Sequence, residues 1–190
     1  MTVLFAGLAI FILIHVVPAF PSRRRAIVER ISVLAYRGLH SLLALLGLVL
    51  IIWGYGMARE SGVAVFYEPP VWMRHLVMLV MLPVFVLVVA AYLPSPITAA
   101  VRHPMVLAVK IWAFAHLLAN GDAASVLLFG GFLAWGVFAR ISLARRERAG
   151  LVTVRGGPMS NAVIAVAVGL VVYGLFVWKV HAWLIGVPIL

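Results

Sequence analysis

The 190-residue chain has no cysteine. Disulfides, thiolate nucleophiles, iron-sulfur clusters and cysteine-ligated zinc or haem are therefore excluded, and any metal must be held by His, Met, carboxylate or backbone ligands. Charge is scarce: 11% of the residues are charged and only five are acidic. These acids, Glu29, Glu60, Glu68, Asp122 and Glu147, all fall in predicted loops or at helix ends. Paired carboxylates for acid-base catalysis are thus not expected. A proton-driven transporter, which would carry a buried acid in a span, is disfavoured for the same reason. A phosphate-binding glycine loop, a Ser-His-Asp arrangement and a metalloprotease helix motif are missing, as are repeats, heptads and low-complexity tracts.

What the chain has in abundance is apolar residues, 66% of the total. Soluble domains carry roughly 45 to 50% apolar and about 25% charged residues, so the expected solvent is a lipid bilayer. At about 20 apolar residues per spanning helix, the length holds about six spans and no separate soluble domain. The net charge of +10 does not indicate nucleic acid, because ten of the fifteen basic residues lie in two short intervals, Arg23 to Arg37 and Arg140 to Arg155. Each interval lies between apolar runs, as inner loops of a membrane protein do.

The fold class expected is all-α: a polytopic membrane helix bundle, one transmembrane domain over 1–190, with spans at about 2–20, 36–57, 73–93, 104–119, 123–143 and 160–183. The first run has its positive cluster after it, not before, so it reads as a retained span and not a secretory signal. Ile27, Ile31 and Leu34 form one stripe, and the segment 27–36 is expected to lie along the inner membrane surface. Pro83 should kink the third span or be compensated by neighbours. Pro94-Ser95-Pro96 is a stop, Pro104 suits a first helical position, and Asn120-Gly121-Asp122 reads as a turn with Asp122 capping the next helix. Six spans put both termini outside, with basic residues concentrated within. The alternative is five spans and a re-entrant segment at 104–119, which is short and contains Lys110.

Ionisable groups within spans are where chemistry is expected. Of the six histidines, His75 and His181 read as interfacial side chains, leaving His15, His40, His103 and His116. At a rise of roughly 1.5 Å per residue, His15 and His40 lie level near the inner face, and His116 lies about 10 Å deeper than His15. Two imidazoles on opposite sides of one metal, bonded at about 2 Å each, suit that offset if their spans are neighbours. The level pair His15 and His40 would instead hold a haem standing upright between helices. Ala44, Gly47 and Gly54 share the stripe of His40, and helix packing is favoured there over a groove for a flat cofactor. Gly130 and Ala134 are assigned to packing. Lys110 neutralises an anion such as a haem propionate or snorkels to the inner face.

Arg102-His103-Pro104-Met105 followed by Lys110-Ile111-Trp112-Ala113-Phe114-Ala115-His116-Leu117-Leu118-Ala119-Asn120-Gly121-Asp122 resembles the NnrU family of bacterial membrane proteins. So do Trp53-Gly54-Tyr55-Gly56 and Leu127-Leu128-Phe129-Gly130-Gly131-Phe132-Leu133-Ala134-Trp135. The likeness spans nearly the whole chain. It implies an inner-membrane protein linked to denitrification, that is, to nitrite and nitric oxide metabolism. The plant 15-cis-zeta-carotene isomerases look like distant members, and they are haem b proteins acting on a long polyene in the membrane. That likeness implies haem b here, held among His15, His40, His103 and His116 with Lys110 nearby. His15 and His116 are the preferred axial metal ligands, and the substrate would be hydrophobic and isoprenoid-like. Ala113 stands in the part of span 4 where the isomerase could use a cysteine, so thiolate switching is excluded. The alternative reading is a non-catalytic membrane binding or assembly factor for denitrification proteins, using the basic segment Arg140 to Arg155 and the acidic segment Glu60 to Glu68 as contacts.

Overall fold

In hydrocarbon every peptide N–H and C=O has to be bonded within the chain, which leaves long apolar runs to fold as helices. The computed structural model describes residues 1–189 and is all-α. Its elements are α1 (Thr2–Val16), extended by a tight turn to Ala19, α2 (Pro21–Ile31), α3 (Val33–Glu60), α4 (Met73–Ala90), α5 (Pro96–Val101), α6 (Pro104–Ala119), α7 (Ala123–Arg148) and α8 (Met159–Leu175), which continues through a π turn into α9 (His181–Ile185). Among the described residues five segments are long and apolar enough to cross a membrane: Thr2–Ala19, Val33–Glu60, Met73–Ala90, Ala123–Arg148 and Met159–Ile185. The remaining expected span is α6, with the bounds read from the sequence. Its 16 residues rise about 24 Å, short of the roughly 30 Å hydrocarbon core.

Several boundaries differ from expectation for local reasons. The segment 27–36, expected as one surface stretch, is divided: 33–36, with Leu34 of the expected stripe, open α3, and 27–31 end α2, which starts at Pro21, a first-turn position whose amide would go unbonded. It stops at Ser32, whose φ of 76° breaks the helix and whose Oγ accepts from Ala35 N at 3.3 Å to cap α3. The stretch after Leu143, expected as a basic loop, stays helical to Arg148. Arg145, Arg146 and Arg148 in its last turns favour the negative end of the helix dipole. The short α5 was not expected. Ser95 Oγ caps it at Thr98 N, Thr98 Oγ1 donates to Ala90 O at 2.9 Å, and Arg102 ends it at φ 67°. Helix α4 runs on through Pro83, and Tyr173 Oη donates to Met78 O at 2.8 Å, beside the Leu79 carbonyl that lacks a proline amide.

The chain divides into two compact units: Met1–Glu68 with Asn120–Leu143, and Pro69–Ala119 with the chain from Ala144 onward. In the first unit α1 and α3 are antiparallel with their backbones in contact. A Cβ on Gly7 would lie 2.7 Å from Ile51 N, and one on Gly47 would lie 2.9 Å from Phe11 N. A Cβ on Gly54 would run into the backbone of Leu4. The small residues of α3 thus serve close helix packing, as expected. The stripe on α7 differs: Gly130 faces open space and Ala134 is exposed, whereas Gly131 packs beneath Leu8. The periodicity is right, but the buried face is one residue further on.

The segment after α3 pairs with the turn before α7. Phe66 N donates to Gly121 O and Ala123 N to Ala64 O, both at 2.8 Å, and Tyr67 Oη donates to Asn120 O at 2.9 Å. Burial, and then the Asp122 carboxylate, raise the Tyr67 phenol above its ordinary range and keep it a donor. Asp122 caps α7 as expected, Oδ1 accepting from Ser125 N at 2.9 Å and Oδ2 from Ser125 Oγ at 2.5 Å. Tyr55 Oη then donates to Ser125 Oγ at 2.8 Å.

In the second unit Val84 and Leu87 of α4 pack against Ala108 of α6. Gly169 lets α8 approach α4, since a Cβ there would lie 2.6 Å from Val86 N. Asn161 Nδ2 ties the start of α8 to Pro94 O at 2.8 Å.

Candidate functional site

The i, i+4 spacing of a helix puts Phe11 above His15 on α1 and Tyr36 below His40 on α3. The antiparallel crossing brings the two pairs together. The His15 and His40 rings meet edge to face, centroids 5.2 Å apart. Phe11 stacks on His15 at 4.2 Å, and Trp135 of α7 stands edge-on to it at 5.9 Å. Phe132 reaches Phe11 at 5.5 Å, and Tyr36 lies 6.0 Å from His40. The Arg24 guanidinium of α2 covers the outer face of Tyr36, 5.3 Å from its centroid.

His15 Nδ1 lies 2.7 Å from Phe11 O. A carbonyl only accepts, so Nδ1 carries the proton and Nε2 presents its lone pair. This is the form in which metal-ligating histidines are held, the second nitrogen fixed by a backbone acceptor. Around it, three buried polar atoms have no hydrogen-bond partner among the described residues: Tyr36 Oη, His40 Nδ1 and Trp135 Nε1. Native interiors bond nearly all such groups.

Of the residues singled out in the sequence, His15 and His40 are thus brought together. His103, Lys110 and His116 belong to the second unit. There His116 Nδ1 lies 2.8 Å from Trp112 O, which fixes its tautomer as in His15, and its ring is 5.3 Å from that of Trp112. His103 contacts the Glu147 carboxylate through Nε2, and Arg102 Nε donates to the other oxygen of Glu147 at 2.7 Å. Lys110 is half-buried and makes no ion pair among the described residues. No group of three or more His, Asp or Glu that could hold a metal ion occurs among the described residues.

Phe11, Tyr36 and Trp135 were missed by sequence reasoning. The i, i+4 aromatic-histidine spacing on both spans was the available signal for the first two. Trp135 stood in the sequence only as the end of the Leu127–Trp135 stretch of family likeness, with no role attached; it reaches His15 through the packing of α7 against α1.

The donor set can be tested against a haem. Two axial imidazoles on one metal, each bonded at about 2 Å, put their centroids about 6 Å apart with the metal between them; His15 and His40 are closer and meet edge to face. The glycine contacts also leave no slot between α1 and α3. A haem standing upright between these helices does not fit. A haem bound through His15 alone on this side fits the fixed tautomer and the free Nε2.

The sequence model of the NnrU protein family matches residues 3–189. No curated protein and no solved structure matches the chain.

Proposed function

The chain belongs to the NnrU family, and we propose that it is a haem b-binding, multi-pass protein of the bacterial inner membrane that serves nitrite and nitric oxide metabolism. The observation that carries this reading is the His15 imidazole, with Nδ1 committed to Phe11 O and Nε2 uncommitted amid unpartnered buried donors. His15 is the proposed haem ligand, and His116, held in the same tautomer by Trp112 O, is the proposed histidine ligand of the second unit. Bound haem would supply an iron that changes redox state, for isomerisation of a hydrophobic substrate or for nitrogen-oxide chemistry. The protein's own part is to fix the imidazole through Phe11, which Phe132 backs, to shield it with Trp135, and to hold positive charge near the inner rim with Arg24.

Six crossings with both termini outside are part of this proposal. Chain connectivity supports them: α4 starts shortly after the 61–68 segment, α6 ends immediately before the turn that pairs with that segment, and α5 joins their other ends. A re-entrant α6 would start and finish on one side.

Protein purified from haem-supplied cells should show a Soret band that shifts on reduction, and His15→Ala should abolish it while the variant still elutes as a folded species. A colourless, folded wild type would sink the reading. The rival assembly-factor reading draws on Arg145 and Arg148, exposed on the last turns of α7. It requires charge reversal there, and not His15→Ala, to remove the denitrification phenotype.

A further inference from the structure

Tyr36 Oη, His40 Nδ1 and Trp135 Nε1 are buried, unpartnered and linked through contacts with His15 or with one another. Tyr36 as a whole is 7% exposed, so its hydroxyl cannot turn to solvent. One such atom is tolerable; three in one cluster identify a missing partner, because an unmet buried donor loses its hydration with no return.

The chemistry of that partner follows from the donor inventory. An indole N–H only donates, and a phenol O–H donates most readily, so the missing group must accept. No acceptor-only side chain is among these residues, so a metal cation would leave the indole unmet.

Position narrows the class further. Tyr36 adjoins Arg37 in sequence and lies under Arg24, while the helix surfaces beyond Phe11 and Phe132 are apolar. The donors therefore sit where the apolar surface gives way to the basic rim, the level at which an amphiphile carries its head group.

We infer that this cluster binds the polar head group of an apolar-tailed amphiphile whose sp2 oxygens, from a quinone or a carboxylate, accept from the unpartnered donors Tyr36 Oη and Trp135 Nε1. The inference rests on the reading of this cluster as a ligand site, and adds the class of ligand without requiring haem at His15.

The test is equilibrium binding to the full chain in nanodiscs, using decylubiquinone, dodecanoate and, as a tail without oxygen, dodecane. At least one oxygen-bearing probe should bind saturably and dodecane should not; which one binds identifies the carbonyl or the carboxylate as the source. Tyr36→Phe and Trp135→Phe should each weaken binding about fivefold, the loss expected for one hydrogen bond. Their melting temperatures without ligand should stay at or above wild type, since the deleted group had no partner. Failure of both oxygen probes to bind, equal binding of dodecane, variants that bind as wild type, or a fall in the ligand-free melting temperature of both variants would each overturn the inference. The Soret region of the same samples is read in parallel. Its absence removes the haem reading and leaves this one standing on its own outcome.

Discussion

Ser125 is fully buried, and the Tyr55 phenol depends on it: Tyr55 Oη donates to Ser125 Oγ, whose own proton goes to Asp122. Ser125→Ala should therefore destabilise the fold by about 1 to 3 kcal/mol, because it strands a part-buried hydroxyl. Adding Tyr55→Phe should restore much of that loss, since removal of both partners leaves nothing unmet. Thermal unfolding of the two single variants and the double variant in one detergent checks this. An additive double variant would show that the two hydroxyls act independently. Asp122 as a cap was legible from Asn120-Gly121-Asp122, because capping is local. Its part in a chain of bonds reaching α3 was not legible, because Tyr55 lies 70 residues away from Ser125.

Helix packing turns on which glycines face a neighbour, and two glycines of α3 separate the effects. At Gly54 a Cβ would enter the Leu4 backbone, whereas at Gly56 it would meet nothing within 4 Å. Gly54→Ala is expected to cost about 1 to 3 kcal/mol, the range for overpacking that forces a backbone shift. Gly56→Ala should be neutral or gain up to about 1 kcal/mol from helix propensity. Equal unfolding midpoints for the two variants would contradict the α1–α3 crossing. The sequence supplied the small-residue stripe on α3 and the right interpretation of it. On α7 the same pattern pointed to Gly130, and Gly131 proved to be the contact, because a stripe gives the spacing of a face but not which face a neighbour covers. Helix ends followed the same division. Pro104, Pro94-Pro96 and Asp122 were readable, whereas the break at Ser32, with its positive φ, and the helical continuation to Arg148 were not.

At the largest scale, charge within the first unit is sorted by end: the α1–α2–α3 corner carries Arg23, Arg24, Arg25, Arg30 and Arg37 with Glu29 alone among the acids, and the opposite end carries Glu60, Glu68 and Asp122 beside Arg59. With the basic end held on the cytoplasmic side, reporter fusions at either terminus should both report the outside. A cytoplasmic C-terminal reporter would mean that α6 does not cross. Composition and the lengths of the apolar runs were enough to determine a helical membrane protein and the approximate place of its helices, because lipid leaves the backbone no other way to meet its own hydrogen bonds. The missing cysteine likewise fixed in advance that any haem here has no thiolate ligand. Which histidines meet was decided by tertiary structure alone. His15 and His40 converge because glycines bring α1 and α3 into backbone contact, and Trp135 joins them because α7 packs on α1 through Gly131. Depth along a helix can be counted from sequence, but rotation about its axis and the choice of neighbour are settled only when side chains pack.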